Sequence, residues 1–387
     1  MNAPVSIDDQ PTIVLPPPVP VVLRERLIAS AVLGALTLIV YGDVLLRFGR
    51  TVISDPQGDT SLYFAPFRAF GFREMAHGNL VLWNPHVFSG APFMGGFQSA
   101  LLYPPNLLYM VLPLGFALNL DICAHTFLLG LFTFMWVRPR MRRIEPAIFA
   151  AALLMFGGPY ALRVLAGQLT MLSSLAYAPL LLYTIDRVFE AVAARKPVLG
   201  PVLLGIAATS LQVVAGYPGT VFMTAFTVAC YSLIRLAGSP RRVFALAPLA
   251  AIAVAPLGIT AMQLWLGAEA ASESIRAGGG SVDFATSFSF PIENLITVIA
   301  PGFYGDRVPT AYWGRWNFWD VSRFAGVAGT LFAIAGTISG RGRAPRSFLQ
   351  SRTVSPRRRR TATRPKNSSG PNTPSARGRR KTPARSP

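Results

Sequence analysis

The sequence predicts an all-α integral membrane protein, a bundle of about eight spanning helices with interfacial helices in a long first extracytoplasmic loop. Three observations predict it. Of 387 residues, 52% are hydrophobic by type and 14% charged, where soluble domains carry about 25% charged residues. Mean hydropathy is +0.43, and apolar runs recur at the roughly 20 residues needed to cross a hydrocarbon core. The short basic connections between those runs all fall on one side.

Residues 1–22 are polar and then Pro-rich, ending near Pro16-Pro17-Pro18, and read as a disordered lead-in. The first apolar run begins near residue 27 without a convincing cleavage site, so it is expected to stay in the bilayer as a first span. The membrane domain is expected over 23–340, with spans at 27–46, 117–137, 146–164, 169–189, 198–215, 217–237, 243–266 and 323–340. A ninth apolar stretch, 101–114, is interrupted by Pro104-Pro105 and Pro113 and reads as an interfacial or re-entrant helix. With that stretch uncounted, Arg138, Arg140, Arg142 and Arg143, then Arg195 and Lys196, then Arg241 and Arg242 share a side. The positive-inside rule makes that side the cytoplasm. Both termini are then cytoplasmic, and the long outer loops run about 47–116 and 267–322. No repeat at a fixed period of about 20–50 residues is visible, which excludes a solenoid.

The net charge of +19 suggests a nucleic-acid binder, but its distribution says otherwise. Residues 341–387 hold 15 Lys and Arg and no Asp or Glu, leaving 21 basic against 17 acidic residues in the first 340. No nucleic-acid partner is expected for the body of the protein. The tail cannot bury a core and reads as disordered. Its run Arg357-Arg358-Arg359-Arg360 would attract nucleic acid or anionic headgroups. Its Arg, Pro, Ala, Gly, Ser and Thr are also what GC-rich codons give out of frame, so a shifted reading frame or an early stop is the expectation. Two cysteines, Cys123 and Cys230, both in apolar runs, exclude a disulfide framework and a cysteine-rich metal site. No phosphate-binding loop with Lys, no His-Glu-x-x-His and no Gly-x-Ser-x-Gly occurs.

Polar residues inside a bilayer are costly, so their positions are informative. Asp121 and His125 lie in the outer half of the second span, about one turn apart. Arg163 and Gln168 flank the next outer turn, Gln212 and Gln263 lie near outer helix ends, and Glu269 and Glu273 begin the second long loop. Wet helix ends account for this, and so does one shared outward-facing site. His125 is explained equally by a helix–helix hydrogen bond. His77 and His86 read as loop structure.

In the first loop, Asp59 opens an amphipathic stretch to about His77, with Leu62, Tyr63, Phe67 and Phe70 on its apolar face. An Asp there is a favoured helix N-cap. The alternative makes Asp59 a general base at the membrane surface. Asp55 would assist it or hold a divalent cation through oxygen ligands, although two carboxylates define no ligand set. In the second loop, the aromatics of Tyr312-Trp313-Gly314-Arg315-Trp316-Asn317-Phe318-Trp319-Asp320 suit either stacking on a sugar or prenyl chain or an aromatic belt.

Together these residues resemble the YfhO-type family of bacterial multi-pass membrane proteins. The matching landmarks include Gly58-Asp59, Leu82-Trp83-Asn84-Pro85, Phe88-Ser89-Gly90-Ala91-Pro92 and Tyr103-Pro104-Pro105-Asn106. Later ones are Leu172 to Leu180, Ala215-Gly216-Tyr217-Pro218, Glu293-Asn294-Leu295 and Tyr312-Trp313-Gly314-Arg315. The resemblance covers about 27–338 and implies a GT-C glycosyltransferase-like architecture. It implies transfer of a sugar from a polyprenyl-phosphate donor to a cell-envelope acceptor, outside the bacterial cytoplasmic membrane, with membrane lipid as surround. By loop position it implies Asp59 as catalytic base, with Asp55, Asp121, His125, Arg163, Gln168 and Glu269 as candidate substrate-binding residues. Asp320 stands where Glu is expected, and Phe324 where Tyr is. The pattern stops near Gly340, which leaves a second expectation: a non-catalytic membrane or transport module, or an inactive truncated fragment.

Overall fold

A computed structural model of the chain describes residues 22–339, apart from 276, 280 and 306–309. The N-terminal lead-in up to residue 21 and the tail from 340 onward, with the expectations attached to them, lie outside the described residues. The fold is all-α, about 69% helical, and among the described residues the only strands are Trp83–Asn84 (β1) and Ala91–Pro92 (β2), an antiparallel pair. Each strand is two residues long and lies in the first loop, so the helices carry the architecture.

Each expected span contains helix, although the last, 323–340, is helical only from Val327. α1 (Leu23–Leu46) rises for 24 residues, about 36 Å at 1.5 Å per residue. The first long loop follows, with a π-turn at Thr60–Phe64, α2 (Ala65–Ala76), the β-ribbon and a 3-10 turn at Pro104–Met110. Then come α3 (Leu114–Val137), α4 (Glu145–Phe156), α5 (Gly158–Ala166), α6 (Leu169–Ala176), α7 (Ala178–Ala194), α8 (Leu199–Val214), α9 (Pro218–Ala237) and α10 (Arg242–Ile259). α11 (Ala261–Ser272), α12 (Val282–Thr286), a 3-10 turn at Ile292–Val298 and α13 (Phe318–Val321) build the second loop, and α14 (Val327–Ser339) closes the described chain. Six helical segments are long and apolar enough to cross a membrane: Leu23–Leu46, Leu114–Arg140, Glu145–Ala166, Leu169–Ala194, Pro218–Ala237 and Arg242–Ile259. α8 and α14 are apolar but shorter, at 16 and 13 residues.

Three expected spans are interrupted. Gly157 leaves the helical region (ψ 147°) between α4 and α5, and Gly158 N donates to Phe324 O at 2.8 Å. Tyr177 separates α6 from α7, just ahead of Pro179, whose missing N–H suits a helix start. The expected span 243–266 ends instead at Ile259. Thr260 turns the chain (φ −102°, ψ 16°), its hydroxyl donating back to Pro256 O, and α11 begins beyond it.

α3 is the hub, packed on α1, α4, α6 and α7. The periphery is apolar too: Ile39, Phe222, Phe226, Val243 and Ile259 are each more than 60% exposed. Water would penalise that surface by about 25 cal/mol per Å², whereas hydrocarbon would not.

The basic connections meet at one end of the bundle. Arg138 pairs with Glu25 at 2.5 Å, and Arg140 pairs with Asp186. Asp186 also accepts from Tyr231 at 2.6 Å and faces Arg235 at 3.3 Å, and Arg241 donates to Val192 O at 3.1 Å. The two long loops lie at the opposite end, tied together by the contacts described next.

The first loop folds around a charge. Thr60, Phe64, Arg68 and Phe72 are buried at a spacing of four, so they form one helical stripe. Arg68 is 1% exposed; it donates to Gln98 O at 3.0 Å and to Ser99 O, with its guanidinium 5.6 Å from the Phe64 and Tyr109 rings. The apolar face expected to lie in the membrane interface, Leu62, Tyr63, Phe67 and Phe70, is exposed at Leu62 and half-buried elsewhere.

Candidate functional site

Asp59 is placed by a series of close backbone contacts. Asn119 on α3 accepts from Ile53 N at 2.9 Å and donates to Thr51 O at 2.7 Å, fixing the loop entry. Asp55 N donates to Leu165 O at 2.9 Å. A Cβ on Gly58 would meet Ala166 O, Asp55 O and the Ser54 hydroxyl, each at 3.0 Å, so only glycine lets the loop lie this close to α5. Thr60 Oγ1 then donates to Gly167 O at 3.2 Å. Gly167 has φ +80°, which glycine adopts without strain. Residues 55–60 therefore rest on the α5–α6 turn.

The capping alternative is not what the structure shows for Asp59. Its own backbone is already helical (φ −58°, ψ −29°), and its side chain makes no cap hydrogen bond. Among the described residues nothing pairs with its carboxylate. Directly after it comes a π-turn, an uncommon element often found at functional sites. Asp55, by contrast, accepts from Gln57 N at 2.8 Å in a local turn.

Asp320 from α13 arrives beside Asp59. It accepts from Arg163 Nη1 on α5 at 2.5 Å and from Asn317 Nδ2 at 2.9 Å, and Arg163 also donates to Gln168 Oε1 at 2.9 Å. Arg163 and Asp320 are each 15% exposed. Partial burial raises the Asp59 carboxyl above the ordinary carboxylate range, and the nearby Asp320 charge raises it further. Tyr63, next on the π-turn, is pushed up to about 12, chiefly by burial. Arg323 lies within electrostatic reach of both Arg163 and Asp320. The site therefore presents an unpaired carboxylate beside an arginine–carboxylate pair, at the bundle end that carries the loops.

Asp121 and His125 belong to a separate network. His125 Nδ1 lies 2.6 Å from Asp121 Oδ1, and Nε2 shares a 2.6 Å hydrogen bond with Tyr103 OH. Tyr103 OH meets Tyr177 OH at 2.8 Å, and Tyr109 OH donates to Asp121 Oδ2 at 2.8 Å. His125 and Tyr103 are at most 1% exposed and Asp121 is 7% exposed. Satisfied polar networks of this kind rigidify a core; here it fastens the 3-10 turn of the first loop to α3 and to the α6–α7 junction.

Of the sequence candidates, Asp59, Arg163 and Gln168 thus come together, Asp55 sits in the supporting turn, and Asp121 and His125 form the clamp. Glu269 is exposed on α11, and its carboxylate joins neither group. Sequence reasoning missed Arg323 and the tyrosine partners of His125. Arg68 did carry a signal, its spacing of four from Phe64 and Phe72. Among the described residues no three His, Cys, Asp or Glu side chains gather as a metal site. Two concavities lie elsewhere: one at Leu46–Thr51, the other a groove of about 430 Å³ between α6–α7 and α9. Compared with protein-family models, with curated proteins and with solved structures, the chain has no match.

Proposed function

We propose that the chain is a membrane glycosyltransferase of GT-C type, akin to the YfhO-type proteins, with Asp59 as general base. It would move a sugar from a polyprenyl-phosphate donor to a cell-envelope acceptor on the outer face of the bacterial cytoplasmic membrane. Eight spans with both termini inside put the loop-bearing end outside, by the positive-inside rule. The observation that carries the reading is the Asp59 carboxylate, unpaired, raised in pKa and held beside Arg163–Asp320.

The chemistry balances with protein groups alone. Asp59 takes the proton from an acceptor hydroxyl, and the acceptor oxygen bonds to the anomeric carbon. The bond from that carbon to the phosphate oxygen breaks, and polyprenyl phosphate leaves with the electron pair. A carboxyl raised toward the working pH is a stronger base than an ordinary one. Arginines beside it suit the phosphate charge.

The groove between α6–α7 and α9, lined in part by Met171, Leu175, Thr220, Thr224 and Val228, favours a second reading, a module that carries a lipid without changing it. Membranes containing the full chain and a radiolabelled polyprenyl-phosphate sugar separate the two. Transfer makes the label covalent in acceptor material, with matching release of polyprenyl phosphate. Intact labelled donor recovered after full incubation rules transfer out.

A further inference from the structure

Each long loop contains a 3-10 turn of seven residues, Pro104–Met110 in the first and Ile292–Val298 in the second. A 3-10 helix has three residues per turn, so side chains three apart share a ridge. In the second turn one ridge, Pro291, Asn294 and Thr297, is buried against the protein. The ridges on either side of it, Ile292-Leu295-Val298 and Glu293-Ile296-Ile299, face outward. Ile292 is 78% and Ile299 75% exposed, whereas Asn294 is 0% and Thr297 2% exposed. The polarity is inside out, with polar side chains toward the protein and aliphatic ones away from it. The first turn repeats the arrangement: Tyr103, Asn106 and Tyr109 are buried, while Leu107, Leu108 and Val111 are exposed. Asn106-Leu107-Leu108 and Asn294-Leu295-Ile296 are the matching stretches.

The level of both turns along the bundle points to lipid. Asp320 pairs with Arg163 and Phe324 O accepts from Gly158 N, so the segment between them runs along α5. Thr297 Oγ1 accepts from Arg323 N at 3.2 Å, which ties the second turn to that segment. Gly158 lies eight residues before Ala166, the outer end of a spanning segment, or about 12 Å along the helix. The turn therefore lies beside the outer part of a span, not above it. In the first turn Tyr109 reaches Asp121, and Tyr103 just ahead of it reaches His125, both on α3. Those two residues lie about 10 and 16 Å along α3 from Leu114. A 3-10 helix closes its own backbone bonds, and Pro104 and Pro291 bring no N–H to the start of either turn, as hydrocarbon requires. The one charge on the outward ridges, Glu293, sits at the start of the second turn and faces Arg315 at 3.9 Å. Arg323 folds its guanidinium over the Phe290 ring, toward that same end, as a snorkelling arginine does.

We propose that the two turns are re-entrant elements whose aliphatic ridges pack against phospholipid acyl chains in the leaflet at the loop-bearing end. The second loop is then anchored in lipid at Ile292, Leu295 and Ile299 rather than carried free in water. The same anchor steadies the segment that holds Asp320 against Arg163. The assignment holds whether or not the chain transfers sugar.

Nitroxide labels on single cysteines test this in the full chain, carrying Cys123→Ala and Cys230→Ala and reconstituted in phosphatidylcholine vesicles. Ile292→Cys and Leu295→Cys report the second turn, and Leu107→Cys and Leu108→Cys the first, so that each turn keeps a reporter if one variant fails to fold. Collision of the label with oxygen, which concentrates among acyl chains, is compared with collision with a water-soluble nickel chelate. Labels in both turns should favour oxygen, as should one at Ile39→Cys, on the exposed face of α1. Their oxygen-to-nickel ratio should exceed severalfold that of Asn79→Cys, in the exposed segment after α2. A ratio in either turn no higher than at Asn79→Cys, with thermal unfolding unchanged, puts that turn in water and overturns the proposal. Shielding from both reagents also overturns it, because a second copy, or residues of this chain beyond 339, would then cover the ridges in place of lipid.

Discussion

Arg163 and Asp320 meet at 2.5 Å across 157 residues of chain. Their ion pair joins α5, on which the first loop rests, to α13 in the second loop. Asp59 lies close enough to Asp320 to feel its charge. One pair therefore both ties the loops together and shapes the basicity of the proposed catalytic group.

Removing either partner should be costly. Arg163→Gln strands a mostly buried carboxylate, and Asp320→Asn a mostly buried guanidinium. Each should destabilise by about 1–3 kcal/mol, below the range for fully buried pairs because both ends retain some exposure. Thermal unfolding in detergent checks this, with the double variant expected to lose less than the sum of the two. Additive losses would mean that the pair contributes nothing.

Asp320→Asn should also alter the pH dependence. Its charge helps to raise the Asp59 carboxyl, so its removal should shift the acidic limb of the transfer rate to lower pH. The rate-against-pH profiles of the two proteins give the shift. Movement to higher pH would contradict the electrostatic assignment.

Asp59 itself should reduce stability. With its folded pKa above the unfolded value, the native state holds the extra proton between those values. Stability then falls as pH rises through that window and returns as pH falls below it. Asp59→Asn should therefore unfold at the same temperature as wild type or higher at neutral pH. A large drop would show that the carboxylate is structural.

The buried clamp should behave in the opposite way. Tyr103→Phe removes a partner from both His125 and Tyr177, and should cost about 1–3 kcal/mol in unfolding free energy. Asp121→Asn should destabilise more than Asp59→Asn. Equal stability in all three would mean that the network is not holding the loop.

Much of the helical layout was legible in the sequence. Apolar runs near 20 residues became helices, and the three arginine-rich connections did gather at one end. The breaks at Gly157, Tyr177 and Thr260 were not legible, because a run of apolar residues reads the same whether the helix within it is continuous or bent. The buried stripe of Thr60, Phe64, Arg68 and Phe72 was not read from the sequence because Arg68 sits inside it, where a charge is normally excluded; carbonyls of Gln98 and Ser99 accept its protons. Asp59, Arg163 and Gln168 could be named individually, but their meeting depends on contacts between residues more than 100 apart. Asn294 gave no local signal, since its burial is set by how the second loop folds over it.

Sugar transfer by wild type and Asp59→Asn, compared in the same membranes with the same labelled donor, bears most directly on Asp59 as the base. Loss of a positioned general base should reduce the rate about 100-fold or more, with donor binding unchanged. An Asp59→Asn protein that transfers sugar at the wild-type rate would remove Asp59 from the chemistry.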